Sequence, residues 1–418
     1  MSPAALSLVA LIVALVVSMT SRINVGWLGL AFAWIIGVYA AGLKVDVVMA
    51  GFPTSLFITL TGVTLLFAIA ETNQSLEALA ARALRLARGN VRVIPLLLFL
   101  IACLLSSVGP GAVSTVALLA PLAMIMGQRV GLSPFLTALM VANGANAGNL
   151  SPFSSVGVIA NSAMAKAGLV GFEGRVWFAN FAAHVLVGAA AYIWLGRRSA
   201  PLEAQTSASI SMTVPPLTTP QRITLAVIAL WISGVLFMNV SLGFSAFAAS
   251  ALLLVLGVTD ETTAVRRVPW AIVMMACGVS VLIGLLEKTG GMDLFTDLLA
   301  RMASAKTLNG VIAFVTGAIS TYSSTSGVVL PAFLPTSATL VAKVGGGDPL
   351  AVALSINVGS SLVDVSPLST IGALCVAAVA DQVVARQLFR SMMIWGLSMM
   401  LIGAAICQIF APMIAARH

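Results

Sequence analysis

The sequence is poor in charge: Asp, Glu, Lys and Arg together make up 8% of its 418 residues. A soluble domain carries about 25%, so an ordinary water-facing surface is excluded. Histidine is nearly absent, with His184 inside an apolar run and His418 at the end. Two such residues leave little for a zinc centre or a Ser-His pair. The four cysteines, Cys103, Cys277, Cys375 and Cys407, stand singly in apolar runs without a CxxC spacing and read as small core residues. Lys and Arg outnumber Asp and Glu by 21 to 13, but they are scattered over short loops. No patch for a nucleic acid results.

What is abundant is apolar: 60% of the residues, with a mean hydropathy of +1.08. About 20 such residues cross a bilayer as one helix. Suitable runs lie at 4–20, 24–42, 53–70, 134–165 and 175–196, and again at 222–240, 243–258, 269–286, 349–380 and 388–411. The first has no Lys or Arg before its apolar core, so it reads as a span and not as a signal peptide. Between the two sets, 197–221 is rich in Ser, Thr and Pro and has no periodicity, which marks a linker. The pattern predicts an all-α polytopic membrane protein with units at 1–196 and 222–418.

A shift of 215 places Pro134, Gly144, Ser151, Pro152, Ser154 and Gly157 on Pro349, Gly359, Ser366, Pro367, Ser369 and Gly372. The shared Ser-Pro-x-Ser-x-x-Gly run goes beyond what two Leu/Ala-rich spans share by chance. Each repeat has five spans, an odd number, so the second copy must enter from the opposite face, as in inverted-repeat transporters. Amphipathic arms are predicted after each third span. Leu76, Leu79, Ala83 and Leu86 face away from Arg82, Arg85 and Arg88; Phe295, Leu298, Leu299 and Met302 face away from Asp293, Asp297 and Arg301. The face reached after the first span carries 13 of the 21 Lys and Arg, which predicts termini outside and the linker in the cytoplasm. In a bacterial inner membrane the termini are then periplasmic.

Two further stretches fit no ordinary span. Residues 91–126 are interrupted by Gly and Pro at 106–115, and residues 309–343 by Ser, Thr and Gly at 320–327. Their second arms are short and carry Pro121, Pro331 and Pro335, which suits re-entrant hairpins. The long runs 134–165 and 349–380 are interrupted around Asn149-Leu-Ser-Pro and Asp364-Val-Ser-Pro. Here Asn149 or Asp364, with Ser151 or Ser366, is expected to cap a new half-helix whose first turn takes Pro152 or Pro367. Polar, Gly-rich backbone at membrane depth survives only against protein or a water-filled cavity. Free amides there attract anions and free carbonyls attract cations. Tight packing of small residues explains a lone serine such as Ser18 or Ser280, but four paired interruptions point to a binding site.

The hairpin and Ser-Pro pattern, occurring twice, resembles the ion transporter superfamily of divalent-anion/sodium symporters. The wording Ser107-Val-Gly-Pro-Gly-Ala-Val-Ser-Thr with Gly144-Ala-Asn-Ala-Gly-Asn-Leu-Ser-Pro-Phe-Ser154 is similar to its MatC-type malonate and dicarboxylate carriers. The resemblance implies a dimeric elevator carrier that imports a small dicarboxylate with Na+, or with H+ as the alternative, and has no cofactor. It places substrate contacts at the tips, on Gly111, Ala112, Ser114, Thr325, Ser326 and Gly327, and at the breaks, on Ser151, Pro152, Ser154, Ser366, Pro367 and Ser369. Cation contacts fall on Ser107, Asn143, Asn146, Asn149, Thr321, Ser361 and Asp364. The family's Ser-Asn-Thr tip is matched fairly by Thr325-Ser-Gly327; at Gly111-Ala-Val113 it is absent, so backbone amides are expected to act there. A cation/proton antiporter or an arsenite-type exporter shares the scaffold. An intramembrane protease fits poorly, because Asp364 is the one well-placed carboxylate and His184 has no serine motif.

Overall fold

The computed structural model describes residues 1–21, 23–84, 92–196, 216–238, 240–321, 323–379 and 381–416. Most of the predicted linker lies outside them, as do Arg85 and Arg88 of the first arm. Among the described residues the chain is helical and contains no strand, as a bilayer requires of backbone that must satisfy itself.

The first half runs α1 (Pro3–Thr20), α2 (Val25–Trp34), α3 (Val45–Met49), α4 (Thr54–Thr72), α5 (Ser75–Leu84), α6 (Ile94–Val108), α7 (Gly111–Arg129), α8 (Pro134–Gly148), α9 (Ser155–Lys166) and α10 (Glu173–Gly196). The second runs α11 (Thr219–Met238), α12 (Leu242–Val255), α13 (Glu261–Arg267), α14 (Trp270–Thr289), α15 (Gly291–Ala300) and α16 (Leu308–Ser320). A π turn (Thr325–Val329) then leads into α17 (Leu330–Phe333), α18 (Ser337–Val344), α19 (Pro349–Val363), α20 (Thr370–Ala377) and α21 (Gln382–Ala415).

Six stretches among the described residues are long and apolar enough to cross a membrane: Thr54–Thr72, Gly111–Gln128, Glu173–Gly196, Trp270–Thr289, Thr325–Val344 and Gln382–Ala415. Two of them, Gly111–Gln128 and Thr325–Val344, are the second hairpin arms, which are therefore longer than expected, because the helical backbone starts at the tip itself and continues through Pro121 and Pro331. Helices α6, α8 and α19 have 15 residues and α16 has 13. At 1.5 Å per residue these reach about 20 Å into a core of about 30 Å, so their ends stop inside the apolar layer. Helix α21 is longer than its predicted run, at 34 residues. Asp381 starts it early by accepting from the amides of Val383 and Val384, and no proline intervenes before Pro412. The short helices α3 and α13 were not legible as periodic runs.

Glycines set the helix contacts, since hydrocarbon supplies no hydrophobic drive between helices and close backbone approach must replace it. Gly278 of α14 packs on the backbone of Gly26 in α2, and Gly243 of α12 on Thr59 and Gly62 of α4. Gly144 and Gly148 seat α8 on Phe99, Cys103 and Ser107 of α6; Gly359 seats α19 on Ala313 of α16. Helix α8 also packs on α10, and α19 on α21. All four cysteines are buried, as expected of core residues. The arm α15 is tied to α18 by Lys343, whose Nζ lies 2.9 Å from Asp297 Oδ1 and 2.7 Å from the carbonyl oxygen of Asp293.

Candidate functional site

Each half brings a hairpin tip against a helix break. In the first, α6 ends at Val108 and the chain turns through Gly109 and Pro110 into α7. Asn149, at the end of α8, accepts a hydrogen bond from the Ala112 amide through Oδ1 at 2.9 Å, and the Ser155 amide donates to the Gly109 carbonyl at 3.1 Å. Gly111 has φ +76°, and a Cβ there would come within 2.7 Å of the Ser155 hydroxyl. Glycine is needed on both counts. Ser107, Gly111, Ala112, Asn149 and Ser154 are thereby gathered at one place. The hydroxyls of Ser154 and Ser106 are buried there without a hydrogen-bond partner.

In the second half the tip carries side-chain oxygens where the first has glycine and alanine. Ser320 sits beside the Thr325 hydroxyl and reaches Asp364 Oδ1 at 3.4 Å; Thr325 is a further partner of that carboxylate. Ser324 closes the tip by accepting from the Gly327 amide at 3.0 Å. Asp364 is only 9% exposed. Thr321 donates to the Gly317 carbonyl of its own helix at 3.0 Å. Among the described residues, no hydrogen-bond partner meets the Ser326 hydroxyl.

The helix breaks correct the expected caps. The restarting helices α9 and α20 begin after Ser154 and Ser369, which are their N-caps. Asn149 and Asp364 instead close the preceding helices and turn their side chains to the hairpin tips. Pro152 and Pro367 lie in the connecting turns, ahead of the first helical turn. Ser151 and Ser366 hold those turns, accepting from the amides of Phe153 at 3.3 Å and Leu368 at 3.4 Å. The reason is local: each break spans several residues, so the residue that ends one helix cannot also begin the next.

The remaining cation candidates divide. Asn146 donates to the Ser361 carbonyl at 3.4 Å, and its own carbonyl accepts from Asn180 at 2.6 Å. Asn143 lies away from the tip, donating to Leu139 and holding His184 Nδ1 3.1 Å from its Oδ1. A cavity of about 810 Å³ between α10 and α21 is lined by Phe135, Leu186, Trp194, Met399 and Ile402 among others. That apolar surface is the wrong chemistry for an ion.

Each half thus sets a hairpin tip against a helix break, buried among apolar helices. Residues 1–149 match the family described as dicarboxylate carrier protein MatC N-terminus. The chain is a membrane transporter, not an enzyme. No curated protein matches it in sequence. Among solved structures it is similar to the Alcanivorax borkumensis YdaH transporter, with 16% identity, a TM-score of 0.61, and coverage of 88% of this chain and 89% of that one. At that identity the likeness concerns the fold.

Sequence reasoning missed several groups beside the hairpin tips. Ser320 was detectable, because the hairpins align at an offset of 214 that places it on Ser106. Glu71 and Arg267 were not, since they come from distant helices and meet near Ser114 only in the folded chain. Ser114 itself faces this pair and not the break.

The two predicted serines of the second half now have different expected behaviour. Ser369 donates to the Asp364 and Ser366 carbonyls and accepts from the Gly372 amide. Ser369→Ala is expected to cost about 1 kcal/mol of stability as a lost cap, read as a lowered melting temperature in detergent. Ser326→Ala is expected to leave the melting temperature unchanged and weaken substrate affinity by roughly 1 kcal/mol, measured by competition uptake.

Proposed function

We propose that the transporter imports a small dicarboxylate of malonate size by cation-coupled symport. The observation that carries this reading is the paired geometry of neutral oxygens, amides and one carboxylate at two helix breaks. Free amides and hydroxyls offset part of a dianion's desolvation, and cotransported cations supply the remainder. In the first half the candidate cation ligands are Ser107, Asn149 and Ser154, all uncharged oxygen donors of the kind sodium takes. In the second they are Ser320, Thr325 and Asp364. Homodimerisation, a bacterial inner membrane location and periplasmic termini complete the proposal.

Two inverted repeats underlie it. In support, Asn146 and Ser361, which are separated by the repeat offset of 215, contact each other directly. Two equivalent residues meet where a pseudo-two-fold axis passes between copies. The mobile unit of an elevator would comprise the hairpins and broken helices. Gly109 of the first tip packs on Phe67 in the last third of α4, and Gly327 of the second packs on Met275 in the first third of α14. Those ends lie together, since Glu71 and Pro269 line one pocket. Both tips are thus offset towards one end of α4 and α14, as expected of one state of an elevator.

Counterflow in proteoliposomes tests the function. Labelled malonate should exchange saturably and its uptake should rise with an inward sodium gradient. Uptake driven by a proton gradient alone would replace sodium by protons. Cation/proton exchange or arsenite export without dicarboxylate uptake would overturn the proposal.

A further inference from the structure

Two side-chain oxygens at the junction of α8, α10 and α19 lack a donor. Asn146 of α8 and Asn180 of α10 are wholly buried, and among the described residues neither Oδ1 meets a hydrogen-bond partner. Such orphans are rare in folded chains and mark a missing water or ion. The amide nitrogens are pinned: Asn180 Nδ2 donates to the Asn146 backbone carbonyl at 2.6 Å, and Asn146 Nδ2 to the Ser361 carbonyl of α19 at 3.4 Å. Turning either amide over would set oxygen against oxygen, so both Oδ1 atoms stay free as acceptors. The Ser361 hydroxyl does not serve them, because it donates to the Asn357 carbonyl at 2.7 Å.

The helix ends point the same way. Asn146 lies in the last turn of α8 and Ser361 in the last turn of α19, where the helix dipole places partial negative charge. Their contact brings the two C-terminal ends together. A buried water makes about three hydrogen bonds, accepting as well as donating, and none of the groups named here has a donor to spare for it. A cation needs acceptors alone. Resting on the cation-coupled reading, we propose that Asn146 Oδ1 and Asn180 Oδ1, at the carbonyl ends of α8 and α19, bind a monovalent cation of the Na+ class at a position separate from the two hairpin tips. Neutral amide oxygens suit Na+ better than a divalent ion, whose sites take carboxylates. Asn180, which completes the site, comes from a helix outside both hairpins and both broken runs.

The test counts labelled Na+ bound per chain at saturation in detergent, with melting curves recorded in the presence and absence of sodium. Asn180→Leu removes one free oxygen at similar volume and creates no new orphan, because the Asn146 carbonyl keeps its bond from the Asn149 amide at 3.1 Å. This variant should bind one ion fewer than the parent, melt no lower than the parent without sodium, and gain less when sodium is added. In proteoliposomes its half-activating sodium concentration should rise about tenfold. Asn146→Leu should lose the same ion, and it serves if Asn180→Leu fails to fold. An unchanged ion count in a folded variant, with the same shift in melting temperature in both salts, would leave only a buried water and overturn this site while the tip sites stand. A parent protein that binds no sodium overturns this site and sodium coupling together.

Discussion

Asp364→Asn is expected to yield a folded protein whose uptake no longer follows the cation or pH gradient of the parent, with at least a tenfold shift in the activating concentration. Asp364 is buried, and its recorded partners, Ser320 and Thr325, are neutral hydroxyls. It also closes the C-terminus of α19, where the helix dipole already places partial negative charge. An uncompensated carboxylate in such a place costs about 3 kcal/mol or more, so it must hold a cation or a proton for much of the cycle. Asparagine keeps the shape and the acceptor for Ser320 but removes the charge. Without sodium, its melting temperature should therefore exceed the parent's, and the gain on adding sodium should shrink. Uptake measured against sodium and proton gradients, with melting curves in both salts, decides the point. Parent-like behaviour under every gradient would reduce Asp364 to a structural role.

Gly148→Val is the second large effect expected. A Cβ at Gly148 would press on the Cys103 carbonyl and lie 2.6 Å from the Ser107 hydroxyl and 2.8 Å from its amide. Two of those three obstacles are backbone, so α8 and α6 must separate, at about 1–3 kcal/mol for overpacking of this kind. The same movement displaces Ser107 from Asn149. The expected result is a lower melting temperature together with loss of sodium activation beyond what the stability change explains. Gly174→Ala is the control: nothing lies within 4 Å of its Cβ position, and alanine favours the helix, so stability should hold or rise by up to about 1 kcal/mol. Unaltered sodium activation in a stable Gly148→Val protein would remove Ser107 from the cation ligands.

What the sequence determined by itself is the class and the positions of its interruptions. Apolar length and missing charge impose helices in lipid. Gly, Pro and Asn at 106–115 and 143–155, with Ser, Thr and Gly at 320–327 and Ser-Pro at 366–367, mark where backbone leaves the helix; both are local properties of the chain. Tertiary structure decided which group meets which. Asn149 and Asp364 looked like caps because Asp and Asn cap helices in isolation, yet the hairpin tips claim both side chains and the restarting helices begin after Ser154 and Ser369, of which only Ser369 caps through its hydroxyl. Asn143 looked like a site residue because it lies near the break in sequence, but one and a half helical turns rotate it onto His184 of α10. Arg267 and Glu71 stand nearly two hundred positions apart and share a pocket only because α13 packs on α4. Spacing along one chain encodes which face of a helix a residue occupies, whereas the partner on the facing helix depends on packing between segments with no fixed separation in sequence.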